Sequence, residues 1–310
     1  MILVTGGTGK IGAPLVQALV DDGEEVRVMA RNTDSRVPGV DNVRGDVREI
    51  SHVRKAVAGA EMVYHLAGVF DSCPAAVVHE INVLGTKNLL EASGDKRFIY
   101  LSSTAVYGSN MKQNPATENT PCNPDGVYGR TKMAAEKLVL WKGGLVLRSA
   151  IVYGEGFNAG ITPILSRIER GEMRITGSGD NLFQWIHIGD LVQALLLAKD
   201  NGKSDVYLVA GGEKRTQREL FSLFAGYLHV PPPKKTTSKG LAATITNYRE
   251  FVHRIRGQKP EFTHSHLSRI TSNRLFDISK AQRELGFKPR VSYDQGAKEL
   301  VEEYLVHRKG

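Results

Sequence analysis

Cysteine is nearly missing from this 310-residue chain. Cys73 and Cys122 are its only two, and they make neither a disulfide framework nor a metal-binding spacing. That scarcity predicts a reducing, cytoplasmic setting and no metal site. Long apolar runs are missing as well; none approaches the ~18 residues that a membrane-spanning helix needs. The first residues read as a strand with no basic stretch before them, so no signal peptide is expected. Internal repeats are absent. Aromatic residues make up 7% and do not interleave with basic ones, so nucleic acid is not expected as a partner. The formal charge is nevertheless +8. Such a surplus suits an anionic cofactor or substrate, or a well-solvated surface. Its densest part, Lys234, Lys235 and Lys239, follows Pro231-Pro232-Pro233 and reads as a loop before a helix.

What is present is alternation. Short apolar runs (ILVT, VRVMA, NVRGDV, MVYHLAG, RFIYLSS, LVLRSAIVYG and DVYLVAG) are separated by stretches of helical period, at about 10–22, 51–58, 77–92, 128–140 and 190–199. Alternation of this kind predicts an α/β fold, a doubly wound parallel sheet. The last hundred residues lose it, and 154–181 is rich in glycine. Two interleaved lobes are expected: a dinucleotide-binding domain from 1–155 and about 184–212, and a substrate-binding lobe from about 156–183 and 213–310.

Three glycines, Gly6, Gly9 and Gly12, follow the first strand and open the first helix. Glycine lets backbone approach a pyrophosphate closely, and a helix N-terminus offers free N–H groups to it. A dinucleotide seat is the expected role. The second strand ends in Arg31 and Asn32, where an acidic residue would bind ribose hydroxyls. A guanidinium there matches a 2′-phosphate, with Lys10 assisting, so NADP is favoured over NAD.

Tyr128 and Lys132 stand four apart on a predicted helix and share a face. An ammonium beside a phenol is expected to lower its pKa and make it a usable acid or base. Ser103, in LSSTAVYG, closes the fifth strand, where its hydroxyl can hold the substrate oxygen.

Together TGGTGKIG, GDV, YHLAG, INVLGTKNLLEA, LSSTAVYG, YGRTK, LRSAIVYGEG, WIHIGDL and DISKAQRELGFKP resemble the extended short-chain dehydrogenase/reductase, or NAD-dependent epimerase/dehydratase, family over the full length. The resemblance implies that Tyr128 is the acid/base, Lys132 its partner and Ser103 the hydroxyl, in preference to Ser102. It implies cofactor contacts from Gly6, Gly9, Lys10, Ile11, Arg31, Asn32, Asp46, Val47, Leu66, Ala67, Gly68, Ser102, Tyr128, Lys132 and Ile151. Asp46 is expected at the adenine amino group and Asn82 as a support of the active-site region. Thr104, Phe183 and His187 are the expected substrate contacts, and His65 is expected to be structural. A homodimer through the helices near 82–92 and 128–140 is usual for the family.

The resemblance also narrows the reaction. Dehydratases carry an Asp-Glu pair where Thr104 and Ala105 stand, so elimination is not expected. Fucose-synthase-like epimerisation uses a cysteine at Ala105 and is disfavoured too. A nucleotide-sugar 4-epimerase is the first reading, on the wording of AVYG, IVYGEG and RELGFKP. A ketone reductase resembling 3β-hydroxysteroid dehydrogenase or dihydroflavonol reductase is the second. It draws on Arg31 and on Phe183, which stands where nucleotide-sugar enzymes place a diphosphate arginine. A non-catalytic NADP-sensing regulator is a remote third, because such proteins lack the tyrosine.

Overall fold

The computed structural model describes residues 1–255 and 264–308. Its first strand is β1 (Ile2–Thr5), buried at every position as a strand covered on both faces must be. Around it lie β2 (Val26–Ala30), β3 (Asp41–Arg44), β4 (Met62–His65), β5 (Arg97–Ser103), β6 (Leu145–Ser149) and a last strand, Val206–Val209. They form one seven-stranded sheet in the order Val206–Val209, β6, β5, β4, β1, β2, β3. Every neighbouring pair is parallel. The order reverses between β1 and β4, and ligands of such sheets bind outside the carboxyl ends at that switch point.

Helices cover both faces. On one, α1 (Gly12–Asp21) contributes Leu15, Val16 and Leu19 to an apolar layer against the sheet. On the other, α2 (Ile50–Val57) contributes Val53 and Ala56. There α3 (Ala75–His79) runs through a π-helical turn, Glu80–Leu84, into α4 (Gly85–Ser93). The single helix expected over 77–92 is therefore interrupted. Asn82 lies in the wide turn, where its amide reaches both N–H and C=O of Val69 (2.9 and 3.0 Å) and the hydroxyl of Thr131 (3.1 Å). The strand expected over 145–154 also breaks. After Ser149 the chain leaves the sheet, and Val152–Tyr153 pairs instead with Ile186–His187.

Next along the chain come α5 (Val127–Trp141), α6 (Asn158–Glu169), α7 (Ile188–Asp200) and α8 (Gln217–Tyr227). A third apolar cluster gathers side chains of α6 and α8 with the helix Tyr293–His307 and includes Leu165, Phe183, Phe224 and Leu300. The tail stretch with Phe276, Ala281 and Phe287 packs into the layer beside α1 and the sheet. The apolar side chains of this tail close the sheet face next to Val206–Val209. Part of the basic stretch at 247–259 lies outside the described residues. Among the described residues no helix is long and apolar enough to cross a membrane.

One ionic network ties α5 to the sheet. Glu136 and Arg148, both almost fully buried, meet at 2.8 Å. Ser102 donates to Glu136 at 2.5 Å, and Arg148 donates onward to the Tyr107 hydroxyl at 2.9 Å and the Glu118 carbonyl at 3.1 Å. Removing one member of such a pair leaves the other charge buried and uncompensated. Glu136→Ala is therefore expected to destabilise the fold by about 3–5 kcal/mol, read as a lowered midpoint of urea denaturation.

Candidate active site

The glycine turn is built for close approach. Gly6 has φ +74°, and a Cβ there would lie 2.7 Å from the Ala67 nitrogen; one at Gly12 would lie 2.0 Å from the Gly6 carbonyl oxygen. The turn therefore folds onto itself and onto the end of β4. No side chain caps α1; the Ala13 N–H donates to the Gly9 carbonyl at 2.9 Å within the turn itself, and Pro14 has no N–H. Beside the turn opens a cleft of about 320 Å³, lined among others by Gly6, Gly9, Arg31, Asp46, Val47, Leu66, Ala67 and Gly68. Its bare glycine backbone and flanking guanidinium fit a dinucleotide.

Other expected cofactor contacts lie apart from that lining. Lys10 is exposed, with its ammonium 5.8 Å from the centre of the Phe157 ring. Ile11 packs beneath the turn against the apolar layer of α1. Asn32 is exposed past the end of β2, and Ile151 is half-exposed past the end of β6. Asp46 lines the cleft, yet Arg48 engages both its carboxylate oxygens, the shortest contact being 2.7 Å. Those hydrogen bonds, with a smaller contribution from Arg31, hold its carboxyl below the usual range. An adenine amino group at Asp46 would have to share that carboxylate with Arg48.

The expected catalytic side chains converge where β5 meets α5. Successive strand residues face opposite ways, and this separates the two serines. Ser102 turns its hydroxyl to Glu136, so its side chain is not free for the cofactor contact expected of it. The Ser103 hydroxyl acts on the Tyr128 phenol against the effect of its burial and accepts from the Ala105 N–H at 3.1 Å. Lys132 follows one turn after Tyr128. Its ammonium donates to the Leu101 carbonyl at 2.8 Å and lies 4.5 Å from the centre of the Tyr100 ring. It also lies 3.5 Å from where a Gly68 Cβ would sit, facing the cleft wall. His65 bridges the Thr5 and Thr86 hydroxyls at 2.7 and 2.9 Å. Burial pushes its pKa down to about 3, which keeps it a neutral strut.

Burial overturns one electrostatic expectation. The Tyr128 phenol is pushed well above its ordinary value, not below it. Desolvation dominates, the Ser103 hydrogen bond opposes it, and the charge of Asp71 adds to it. Lys132 is itself pushed down to about 8 by burial, against the pull of Glu136. A desolvated ammonium 5.9 Å from the ring centre does not offset the cost of stripping water from a phenolate. In the free protein Tyr128 is thus a neutral phenol.

The expected substrate contacts are otherwise engaged. Phe183 is buried in the third cluster, 5.8 Å from the Trp185 ring. His187 caps α7 through the Gly189 N–H and meets Glu299 at 2.8 Å. Thr104 is buried, and its carbonyl accepts from Arg274 at 3.3 Å. Arg274 also donates to the Gly108 carbonyl, and Arg269 pairs with Asp125 at 2.8 Å. Sequence reasoning missed two neighbours of Tyr128. Phe70 lies on its ring at 4.7 Å, and Asp71 accepts from its backbone N–H at 2.7 Å. Nothing in VFDSC announces either contact, since both depend on how the loop after β4 meets α5.

Comparison with known proteins bears on the whole arrangement. Residues 2–210 match the NAD dependent epimerase/dehydratase family. The 2-alkyl-3-oxoalkanoate reductase of Stenotrophomonas maltophilia is 28% identical, over 96% of this chain and 98% of its own. The 3-beta-hydroxysteroid dehydrogenase of Mycolicibacterium neoaurum is 27% identical, over 98% of this chain and 91% of its own. Among solved structures, UDP-glucose 4-epimerase of Thermotoga maritima with UDP-glucose superposes with a TM-score of 0.77 at 24% identity, covering 100% of this chain and 99% of that one. At that identity the likeness speaks for the fold. The chain belongs to the NAD dependent epimerase/dehydratase family and is an NAD(P)-dependent enzyme of the extended short-chain dehydrogenase/reductase type.

Proposed function

We propose that this enzyme reduces a ketone on a largely apolar substrate to a secondary alcohol, with Tyr128, Ser103 and Lys132 as its catalytic residues. The observation that carries the reading is the Phe70 ring, 63% exposed, lying on the Tyr128 ring at 4.7 Å between centroids, beside a phenol that burial pushes up. A neutral phenol is ready to give a proton, as carbonyl reduction requires; oxidation begins by taking one. The exposed aromatic face suits an apolar substrate. The 4-epimerase reading needs guanidinium groups for a diphosphate. Arg274 spends donors on carbonyls, Arg269 on Asp125, and Phe183 is buried. The reductase and steroid dehydrogenase among its relatives favour the same choice.

In this reading the bare backbone of Gly6 and Gly9 and the start of α1 would hold the pyrophosphate. Arg31 would hold a 2′-phosphate, Asp46 and Val47 the adenine, and Leu66, Ala67 and Gly68 the ribose. When bound, the nicotinamide supplies a hydride to the carbonyl carbon. Tyr128 gives its proton to the carbonyl oxygen, and the Ser103 hydroxyl holds that oxygen in line. Lys132, buried beside Gly68, offsets the negative charge that grows on the phenol as the proton leaves. We assign the third apolar cluster to the substrate lobe. A homodimer through α4 and α5 is supported by Trp141, 80% exposed at the end of α5, and by the half-exposed Leu84 just before α4.

Tyr128→Phe is expected to lower NADPH-dependent ketone reduction about 10²–10⁴-fold, with dinucleotide affinity unchanged by fluorescence titration. Full activity in that variant would end the assignment. Arg31→Asp should move the preference from NADPH toward NADH in the same titration. Tightly bound NAD in the purified protein, together with turnover of a nucleotide sugar, would restore the epimerase. Lys132→Met should abolish turnover yet raise the thermal midpoint at pH 7, because it removes a charge that is costly to bury. The sign follows from linkage. The folded-state pKa of Lys132, about 8, lies below the ordinary 10.5, so the unfolded chain holds the extra proton between those values. Wild-type stability should gain on that of the Met variant as pH rises through this window, and parallel profiles would contradict it.

A further inference from the structure

The helix that carries Tyr128 begins without a cap of its own. Gly126 occupies the N-cap position of α5 and has no side chain to accept from the first turn. Helix starts usually place Ser, Thr, Asp or Asn there, because the first N–H groups have no partner within the helix. Here the acceptor comes from elsewhere. Asp71, in the loop after β4, reaches the Tyr128 N–H at 2.7 Å with one carboxylate oxygen. Its other oxygen lies 2.8 Å from where a Cβ on Gly126 would sit. The bare glycine thus makes the room that the foreign carboxylate fills. A negative charge at a helix N-terminus is favourable in its own right.

The same loop holds the other side of the residue. Phe70, next to Asp71, lies on the Tyr128 ring with centroids 4.7 Å apart. The loop is anchored just before this pair, where Asn82 holds both the N–H and the C=O of Val69. Asn82 also holds Thr131 on α5, and the Thr131 hydroxyl donates to the Tyr128 carbonyl at 2.9 Å. Backbone N–H, backbone C=O and ring of Tyr128 are therefore all engaged, and each contact leads back to the stretch 69–71 or to Asn82.

We propose that Asp71 is a positioning residue for Tyr128: its carboxylate serves as the missing cap of α5 and, with Phe70 on the ring, sets where the phenol stands. This rests on Tyr128 being the acid of the reaction. The charge of Asp71 also pushes the phenol up, which keeps the proton on the oxygen until a substrate carbonyl takes it.

Gly126→Ala tests this without touching either residue. Its backbone, φ −104° and ψ 163°, accepts alanine, so the added methyl acts by driving the Asp71 carboxylate away. The first readout is amide hydrogen exchange at Tyr128 in the NADP⁺-loaded protein. Tyr128 N–H should be protected in the wild type, and about tenfold or more faster to exchange in Gly126→Ala and in Asp71→Ala. The double variant should be no faster than either single one, since both remove one contact. The second readout is kinetic, with NADPH and acetophenone as the probe ketone. Both variants should lose kcat while KM for NADPH stays put, and Asp71→Asn, which keeps an acceptor oxygen, should recover most of kcat. An unprotected Tyr128 amide in the wild type, additive effects in the double variant, or unchanged kcat in Gly126→Ala and Asp71→Ala would each overturn the proposal. Those failures are distinct from an active Tyr128→Phe, which would overturn the assignment of the acid itself. Should Asp71→Ala not fold, Gly126→Ala and Asp71→Asn decide the matter through the same readouts.

Discussion

The packing of α5 against β5 and β6 is the contact on which the rest depends. Three polar side chains stand on one stripe of that helix, Tyr128, Lys132 and Glu136, each four residues from the next. Lys132 and Glu136 are buried and Tyr128 partly so. Such a stripe is unfavourable unless each group finds a partner. Glu136 finds Arg148 and Ser102, Lys132 finds the Leu101 carbonyl and the Tyr100 ring, and Tyr128 finds Ser103. The helix is thereby fixed in rotation as well as in position. The innermost pair, Glu136 and Arg148, anchors it, and the outermost, Tyr128, meets the Phe70 ring.

Burial also sets the chemistry. A phenol and an amine side by side in water would each keep its ordinary character. Here desolvation acts on both toward neutrality, raising the phenol and lowering the amine. The site is therefore arranged to store a proton on oxygen rather than to hold a phenolate. A bound dinucleotide would bring its own charges beside Lys132, and the balance in the loaded enzyme follows from that added field. The apolar partners Phe70 and Tyr100 belong to the same design, since they keep the surroundings dry on two sides of the pair.

Much of this was legible before any fold was known. The strand–glycine–helix opening, the Tyr-x-x-x-Lys spacing and the serine at the end of β5 are local features, and local features survive in one dimension. Other placements are not local: Phe183, expected at the substrate, packs in the third cluster, and His187 caps α7. The helix over 77–92 reads as continuous, but Asn82 serves Val69 and Thr131 at once from a widened turn.

The sequence by itself determined the sheet and the family of the chain, and it brought out Tyr128, Lys132 and Ser103 as the candidates for the reaction. Each rests on neighbours a few residues apart, and short-range sterics and periodicity decide such things. Only the tertiary structure decided the charge state of Tyr128, the commitments of Arg269 and Arg274, and the hold of Asp71 on α5. Those depend on which groups lose water together and on contacts spanning 57 residues, in the case of Asp71, and more than a hundred for the two arginines. Desolvation is a property of the assembled interior, and no stretch of sequence carries it alone.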